Sequence, residues 1–473
     1  MNLIIDGGMA NGPDDIIRRS CICEIKLFGV RCLKRAFLFL ALLGAFALAG
    51  CGGNGDTTSQ TTYNNGSGDQ PYKPVTHLSH RAIISNYYAG NLAVMDATQN
   101  RLTTYTFAAG SEPTYLQSSP DGTLTLVNDT GSQAISSLNN QQESVKATVI
   151  LSGFTESFVS SQNNKFGFAA VPNYNNGSYR TPGAIVRFNP TDGSLNTQIQ
   201  FPSVHYLGMD GLEKHLMAFT DTDYLPYWVD LTAEDPSTGV PAYYQLSLKN
   251  TLAATVTLSQ PRKVFFSSDS TKAYILSCGT ECGGPGSAKV TVVDLTSITV
   301  PATPTTGAIL SATVLGEWTV KGAQAGYMDT TNNVLYLAGS TGASSVDSGG
   351  NTVLDGWFTE LSLSSLTNTP TVIAIGPGNK RIIRNIKGTW WIGAQNCGVV
   401  TCITTVSSSL GSATPLPQPA HGNATGITLA ANTGDVYTIE GGEFYMYSQA
   451  GATITSQYNT DVKGQAYDVL YIN

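Results

Sequence analysis

The stretch AIISNYYAGNLAVMDATQNRLTTYTFAAGSEPTYLQSSPDGTLTLVND, residues 82–129, decides how the rest of the chain is read. Ala82–Asn86 is a short run of strand formers that gives way to Gly90-Asn91. Leu92–Asp96 follows, then a turn at Asn100, then Leu102–Phe107, then Ala109-Gly110. Strand-length runs broken by turn residues every ~8–12 positions read as antiparallel β-strands. Nowhere does an apolar period of about 3.6 residues persist long enough for an amphipathic helix. The fold class is therefore all-β.

The pattern repeats through to Asn473 at intervals of roughly 40–60 residues, which points to stacked supersecondary units. Turns that join a first strand to a second recur at Ser119–Gly122, Gln162–Lys165, Gly211–Lys214, Asp269–Lys272, Thr331–Asn333, Lys387–Thr389 and Asn432–Asp435. A third strand ending in Asp or Asn recurs as Leu92–Asp96, Ala134–Asn139, Ala184–Asn189, Tyr227–Asp230 and Val290–Asp294. Four short antiparallel strands per unit is the blade of a β-propeller. The folded part opens on a second-type strand at Ala82 and closes on a first-type strand, Gln465–Ile472. Pairing this C-terminal strand with the N-terminal blade would close the ring and remove an exposed edge. Seven internal turns and this composite unit give eight blades. Irregular stretches near 233–250 and 340–355 leave seven open.

At Asn86, Val94, Asp96, Asn100, Gly110, Pro113 and Ser119–Gly122 the chain resembles the YVTN-type propeller repeat. The match is clear in the first two units and fades to echoes such as Asp269 and Asp294. The resemblance implies propeller architecture and export. It brings no fixed catalytic residues, because propellers host binding modules and enzymes alike.

Upstream, Lys34-Arg35 leads into an apolar run, Ala36–Gly50, of 15 residues that ends Leu48-Ala49-Gly50-Cys51. That is shorter than the ~20 residues a spanning helix needs. A basic start, a short apolar middle and small residues before a cut make a secretory signal. The ending resembles a bacterial lipobox, which implies lipidation of Cys51 after cleavage. Expected domains are residues 1–50 (upstream extension and signal), 51–79 (lipidated Cys51 and a Gly/Ser/Thr/Asn-rich tether) and 80–473 (one propeller). Gly52 follows Cys51 where Asp would signal inner-membrane retention, so an outer-membrane anchor in the cell envelope is expected.

Removing residues 1–50 takes six Lys/Arg and four Asp/Glu from totals of 25 and 33, leaving a net charge of −10. That balance excludes a nucleic-acid partner. Cys278/Cys282 and Cys397/Cys402 are two close pairs in an exported chain, read as two local disulfides rather than a thiolate metal site.

Chemistry-bearing motifs are sparse. No Gly-x-Ser-x-Gly elbow or phosphate-cradling loop occurs. His205, His215 and His421 lack metal-ligand spacing, although His205 and His421 fall near the entrances to first strands. Lys380, Arg381, Arg384 and Lys387 read as a solvated turn, and of Trp390 and Trp391 one is expected in the core and one between blades. The loops leaving second strands gather on one face and supply the candidate ligand-binding residues: Asn86, Tyr87, Tyr88, Asn128, Asp129, Asn173, Tyr174, Asp221, Asp223 and Tyr224. Tyr and Asn together offer flat apolar faces beside amide groups, which suits a glycan or peptide. The expectation is a monomeric, lipid-anchored binding or scaffolding module for a protein, peptide or polysaccharide. It needs no metal or cofactor. The alternative is a propeller enzyme, either a lactonase-like hydrolase or a quinoprotein-type dehydrogenase subunit.

Overall fold

The computed structural model describes residues 76–473 except 176–179, 182, 221–223, 408, 417–419 and 451–452. Cys51, most of the tether and the upstream segment lie outside these. Regular structure among the described residues is strand, apart from short 3-10 turns at Gly279–Cys282 and Leu295–Ser297. The strands form six four-stranded sheets and one eight-stranded sheet, and so eight blades. In chain order the inner strands of blades 2 to 8 are Pro113–Ser118, Ser157–Ser160, Val204–Met209, Pro261–Phe266, Ala325–Asp329, Asn379–Ile386 and Ala424–Leu429. Blade 1 takes its inner strand, Ala466–Ile472, from the far end of the chain and pairs it with Arg81–Asn86.

Each blade junction holds its own apolar cluster. Ala82, Ile84 and Met95 of blade 1 pack on Tyr437, Ile439 and Phe444 of blade 8. Phe168 and Ile185 of blade 3 pack on Leu216 and Val229 of blade 4. Because a blade is covered on both faces, strand residues of either parity are buried. Arg81–Asn86 and Leu124–Asp129 are buried along their whole length. Trp390 and Trp391 follow the same rule: Trp390 meets Tyr336 and Phe358 of blade 6, while Trp391 meets Tyr447 of blade 8. Both lie between blades, a correction to the expectation that one fills a separate core.

The repeated turn residues have a shared physical role. Third strands end in Asp or Asn because the side chain caps the turn to the fourth strand. Asp96 accepts from the Thr98 amide at 2.8 Å, Asp230 from Thr232 at 2.8 Å, and Asp294 from Thr296 at 2.9 Å. Gly110 has φ +96°, and a Cβ there would meet the Asp129 side chain at 2.7 Å. Asn100 reaches across the closing junction, donating to Asp435 at 3.0 Å and accepting from Tyr437 at 2.5 Å. Cys278–Cys282 and Cys397–Cys402 are disulfide-bonded as expected.

The two irregular stretches add to blades without breaking the count. The long outer strands Pro241–Asn250 and Ile309–Thr319 pair in parallel and fuse blades 4 and 5 into one sheet. A separate hairpin, Ser344–Val346 with Thr352–Leu354, projects from blade 6.

Closure rests on a small polar lock. Asn86 is buried and accepts from the Gln465 amide at 3.1 Å while donating to the Val462 carbonyl at 3.2 Å. Ser85 accepts from the Asp468 amide at 2.8 Å and donates to the Thr114 carbonyl at 2.7 Å. Asn86→Ala strands both C-terminal partners, so it should destabilise the protein by about 2 kcal/mol. Denaturant unfolding measures this, and an unchanged midpoint would show that the lock contributes nothing.

Candidate functional site

Second strands end where inner strands begin: Thr220 pairs with Val204, Ser277 with Pro261, Gln395 with Asn379 and Glu440 with Ala424. The loops leaving second strands and the starts of inner strands therefore share one face, around the mouth of the channel.

A recurrent irregularity shapes that mouth. In six blades the pairing of the inner strand with its neighbour slips near this end, passing over Thr114 and Tyr115, His205, Arg262, Arg381, Thr425 and Tyr467. A bulge leaves its residue out of the ladder and re-aims the side chain. Here the bulged positions carry most of the chemistry. In blade 3, which shows no slip, Glu156 occupies the residue just ahead of the inner strand.

On one side the rim is aromatic. Tyr115 and Tyr467 meet edge to face at 5.5 Å with their hydroxyls 3.5 Å apart. Tyr87 stacks on Tyr467 at 6.1 Å and holds Tyr88 edge-on at 5.3 Å. Burial, with Tyr115 alongside, pushes the Tyr467 phenol well above its ordinary range, so it stays a neutral hydrogen-bonding group.

On the other sides the rim is charged. The Arg262 guanidinium lies 4.9 Å from the centre of the Tyr206 ring and donates to its hydroxyl. Lys263, Arg381 and Arg384 come from blades 5 and 7, and Asp468 from blade 1. Arg384 acts electrostatically on both Lys263 and Asp468, across the ring. Lys263 touches water yet is ringed by protein, and this burial with Arg384 beside it brings the ammonium down to about 8. Burial raises Asp468 to about 7 against the pull of the Leu116 and Val469 amides and Arg384. Lys263 donates to the Gly326 carbonyl at 3.2 Å and Arg384 to that of Ile383 at 3.2 Å. No ion pair or hydrogen bond involves Arg381 among the described residues. The basic stretch read as a solvated turn is thus split. Arg381 and Arg384 stand exposed on the inner strand, Lys380 is buried, and Lys387 donates to the Gly434 carbonyl at 3.1 Å.

Each of the three blade histidines takes a carboxylate partner. His205 Nδ1 lies 2.9 Å from Glu156 on the rim. His421 Nδ1 is 3.5 Å from Glu440 and stacks on Tyr445 at 4.0 Å. Glu440 is buried and already accepts from Thr438 at 2.7 Å and Tyr447 at 2.8 Å, so this pair is enclosed in blade 8. His215 pairs with Asp210 at 3.1 Å beside the turn between the first two strands of blade 4, at the other end of the ring.

The candidate loop residues divide by position. Tyr87 and Tyr88 belong to the aromatic rim, and Tyr224 accepts from Gln260 at 3.2 Å next to Arg262. Asn173 is exposed in the turn ahead of Tyr174–Asn175. Asn86 is spent on closure. Asn128 is buried and donates to the Thr155 carbonyl at 3.3 Å. Asp129 is buried, accepting from Ser136 at 2.5 Å. Asp221 and Asp223 lie outside the described residues, as does the side chain of Tyr174.

Several rim groups escaped sequence reasoning. Tyr115, Glu156, Arg262, Lys263, Tyr467 and Asp468 look like ordinary strand or turn residues, and only closure of the ring brings them to one rim. Glu281, held in the Cys278–Cys282 loop, accepts from the Ser340 amide at 2.8 Å, and burial raises its carboxyl to about 7. No three His, Cys, Asp or Glu side chains converge as metal ligands among the described residues. A cavity of ≈ 760 Å³ lies at the opposite end, lined by Arg81, Asp121 and Lys146 among others. Arg81 there is already paired with Glu143 at 3.2 Å.

No protein-family profile matches the sequence, and no curated protein is similar to it. Solved structures do match. The dihydro-heme d1 dehydrogenase NirN, in complex with DHE, superposes with a TM-score of 0.57 at 11% identity, covering 85% of this chain and 77% of its own. The periplasmic gluconolactonase PpgL of Pseudomonas aeruginosa gives a TM-score of 0.43 at 13% identity, covering 83% and 99%. The Swd1 β-propeller of Myceliophteria thermophila gives 0.47 at 10%, covering 71% and 95%. The likeness is one of fold.

Asp129 generates a pH prediction. Burial raises its carboxyl to about 7. Between the unfolded value of about 3.9 and that figure, the folded chain keeps a proton that the unfolded chain has released. Its contribution to stability is therefore largest at low pH and is lost as pH rises through this window. Asp129→Asn should match the wild type near pH 4 and exceed it at pH 8 by about 1–3 kcal/mol. Thermal unfolding at the two pH values checks this, and an equal effect at both would remove the titration.

Proposed function

We propose that the protein is an exported propeller, anchored through lipid on Cys51, whose channel mouth binds a small carboxylate-bearing ligand, most simply an acidic sugar. One observation carries the reading: Lys263, Arg381 and Arg384 reach the channel from two blades, and none is neutralised by an ion pair among the described residues. The whole chain has a net charge of −8, so a cationic channel within it selects for a small anion that can enter. Arginine forks recognise carboxylates with two parallel hydrogen bonds. The tyrosines across the rim supply flat faces and hydroxyls suited to a sugar ring. This narrows the broader expectation of a protein, peptide or polysaccharide ligand. NirN, in complex with DHE, supports a propeller of this architecture holding a small ligand. An enzyme acting on such a ligand is the second reading, favoured by the imidazole and carboxylate of His205 and Glu156 on the same rim.

Glucuronate and glucose share a ring and differ in the carboxylate, so they separate charge from shape. Calorimetric titration should detect glucuronate and not glucose. Arg381→Ala with Arg384→Ala should weaken glucuronate binding by about tenfold or more. Equal binding of both sugars, or an unaffected double variant, overturns the reading.

The anchor is tested separately. In a bacterial host, Cys51→Ser should abolish incorporation of an alkyne-tagged palmitate and move the protein to the soluble fraction. Unchanged membrane attachment would sink the lipid reading.

A further inference from the structure

Exposed aromatic rings gather at one end of the molecule. Among the described side chains, the exposed Tyr, Phe and Trp residues are Tyr88 (76%), Phe154 (56%), Tyr115 (47%) and Tyr327 (39%). The first three stand at the mouth, where second strands end and inner strands begin, while Tyr327 is on the inner strand of blade 6. None belongs to an outer strand or to the turns at the opposite end. Tyr88, Tyr115 and Phe154 also follow one another around the ring, from blade 1, blade 2 and the entrance to blade 3. They trace an arc along the rim, and apolar surface left open among polar groups marks an interaction site.

The arc is held in place from behind. Tyr88 lies edge-on to Tyr87, and Tyr87 in turn stacks on Tyr467 and donates to Glu112 at 3.1 Å. Phe154 sits in the loop between the outer strand Ser144–Ile150 and the inner strand Ser157–Ser160. Two contacts pin that loop: buried Asn128 donates to the Thr155 carbonyl at 3.3 Å, and Gly153 packs so closely that a Cβ would meet the Asn173 carbonyl at 2.5 Å. Rings fixed in advance give up little conformational entropy when a ligand stacks on them.

This arc runs into the cationic side of the channel. The Arg381 guanidinium acts electrostatically on the Tyr467 hydroxyl as well as on that of Tyr206. An acidic sugar seated at Arg381 and Arg384 therefore has Tyr467 beside it, but one ring cannot also cover Tyr88 and Phe154, which stand further round. Further rings of the same ligand can. A sugar has an apolar C–H face and a border of hydroxyls, which match a phenyl face set beside phenol hydroxyls and the Glu112 carboxylate. We infer that the arc is a set of subsites for the following sugars of a glycan whose terminal acidic sugar sits at Arg381 and Arg384. The inference rests on the anion-binding reading for that terminal sugar only.

Calorimetric titration of the mature protein compares glucuronate with a tetrasaccharide of one terminal glucuronate and three β-1,4-linked glucoses. Both carry the same charge, so any difference reports the added rings. The tetrasaccharide should bind more tightly by about tenfold or more, the gain expected from one good stacking contact. Tyr88→Ala with Phe154→Ala should bring the ratio of the two affinities down towards one. Both side chains are exposed, and an unchanged melting temperature confirms folding. Cellotetraose, which has the rings without the charge, separates this inference from the one it rests on. If cellotetraose binds and loses affinity in the double variant while glucuronate fails to bind, the anion site falls and the arc stands. Glucuronate binding with no gain from the added glucoses overturns the arc alone. So does a ratio that the double variant leaves unchanged, and hexaglutamate bound with the same dependence on Tyr88 and Phe154 would assign the arc to a peptide instead.

Discussion

Every blade buries both of its faces against neighbours, and that mutual cover is the constraint on which the molecule depends. A four-stranded sheet with one wet face can alternate apolar and polar residues. A blade in a closed ring cannot, since residues of either parity meet an adjoining blade. Met217 and Phe219 thus share a cluster with Val264 and Ile275 of the next blade, while Leu216 and Ala218 face the previous one. Fully burying one such aliphatic side chain is worth about 1.5–3 kcal/mol, and the gain is realised only if the ring is complete. A missing blade would expose two apolar faces at once. This is why the strand Ala466–Ile472 matters beyond its length, and why buried Ser85 and Asn86 spend their polar atoms on it.

The same constraint frees the channel for chemistry. Because burial between blades supplies the cohesion, the channel edge of each inner strand need not be apolar. In six blades a slip at its start turns residues out of the ladder, and those residues differ from blade to blade. The rim is aromatic at blades 1 and 2, acidic at blade 3, imidazole-bearing at blade 4 and guanidinium-bearing at blades 5 and 7. A ring of similar sheets thereby presents an asymmetric mouth, able to hold an anion on one side and a ring face on another.

Much of the architecture was legible because its signals are local. Ser119-Pro120-Asp121-Gly122 makes its turn through Asp121, which accepts from Ser119 at 2.7 Å and from the Thr123 amide at 3.0 Å. Ser267 and Asp269 repeat the bond at 2.6 Å. Such turns depend on a few neighbouring residues, so they can be read from the chain alone. The candidate site was less legible. Tyr87 and Tyr88 were found because they sit in a loop of known placement. Asn86, Asn128 and Asp129 share that loop position but point inward, a difference set by which face of the strand end each side chain leaves.

The all-β class, the repeating blade and the two disulfide pairs were legible in sequence, since each follows from spacing within one or two turns, and the docking of tail beside head followed from the strand types at the two ends. Only tertiary structure fixed the number of blades at eight, the parallel seam between blades 4 and 5, and the rim itself. His205 and Glu156, or Lys263, Arg384 and Asp468, lie tens to hundreds of residues apart and carry no shared pattern. They become neighbours because closing a ring brings every inner strand to the same axis, a consequence of packing that no local run of residues encodes.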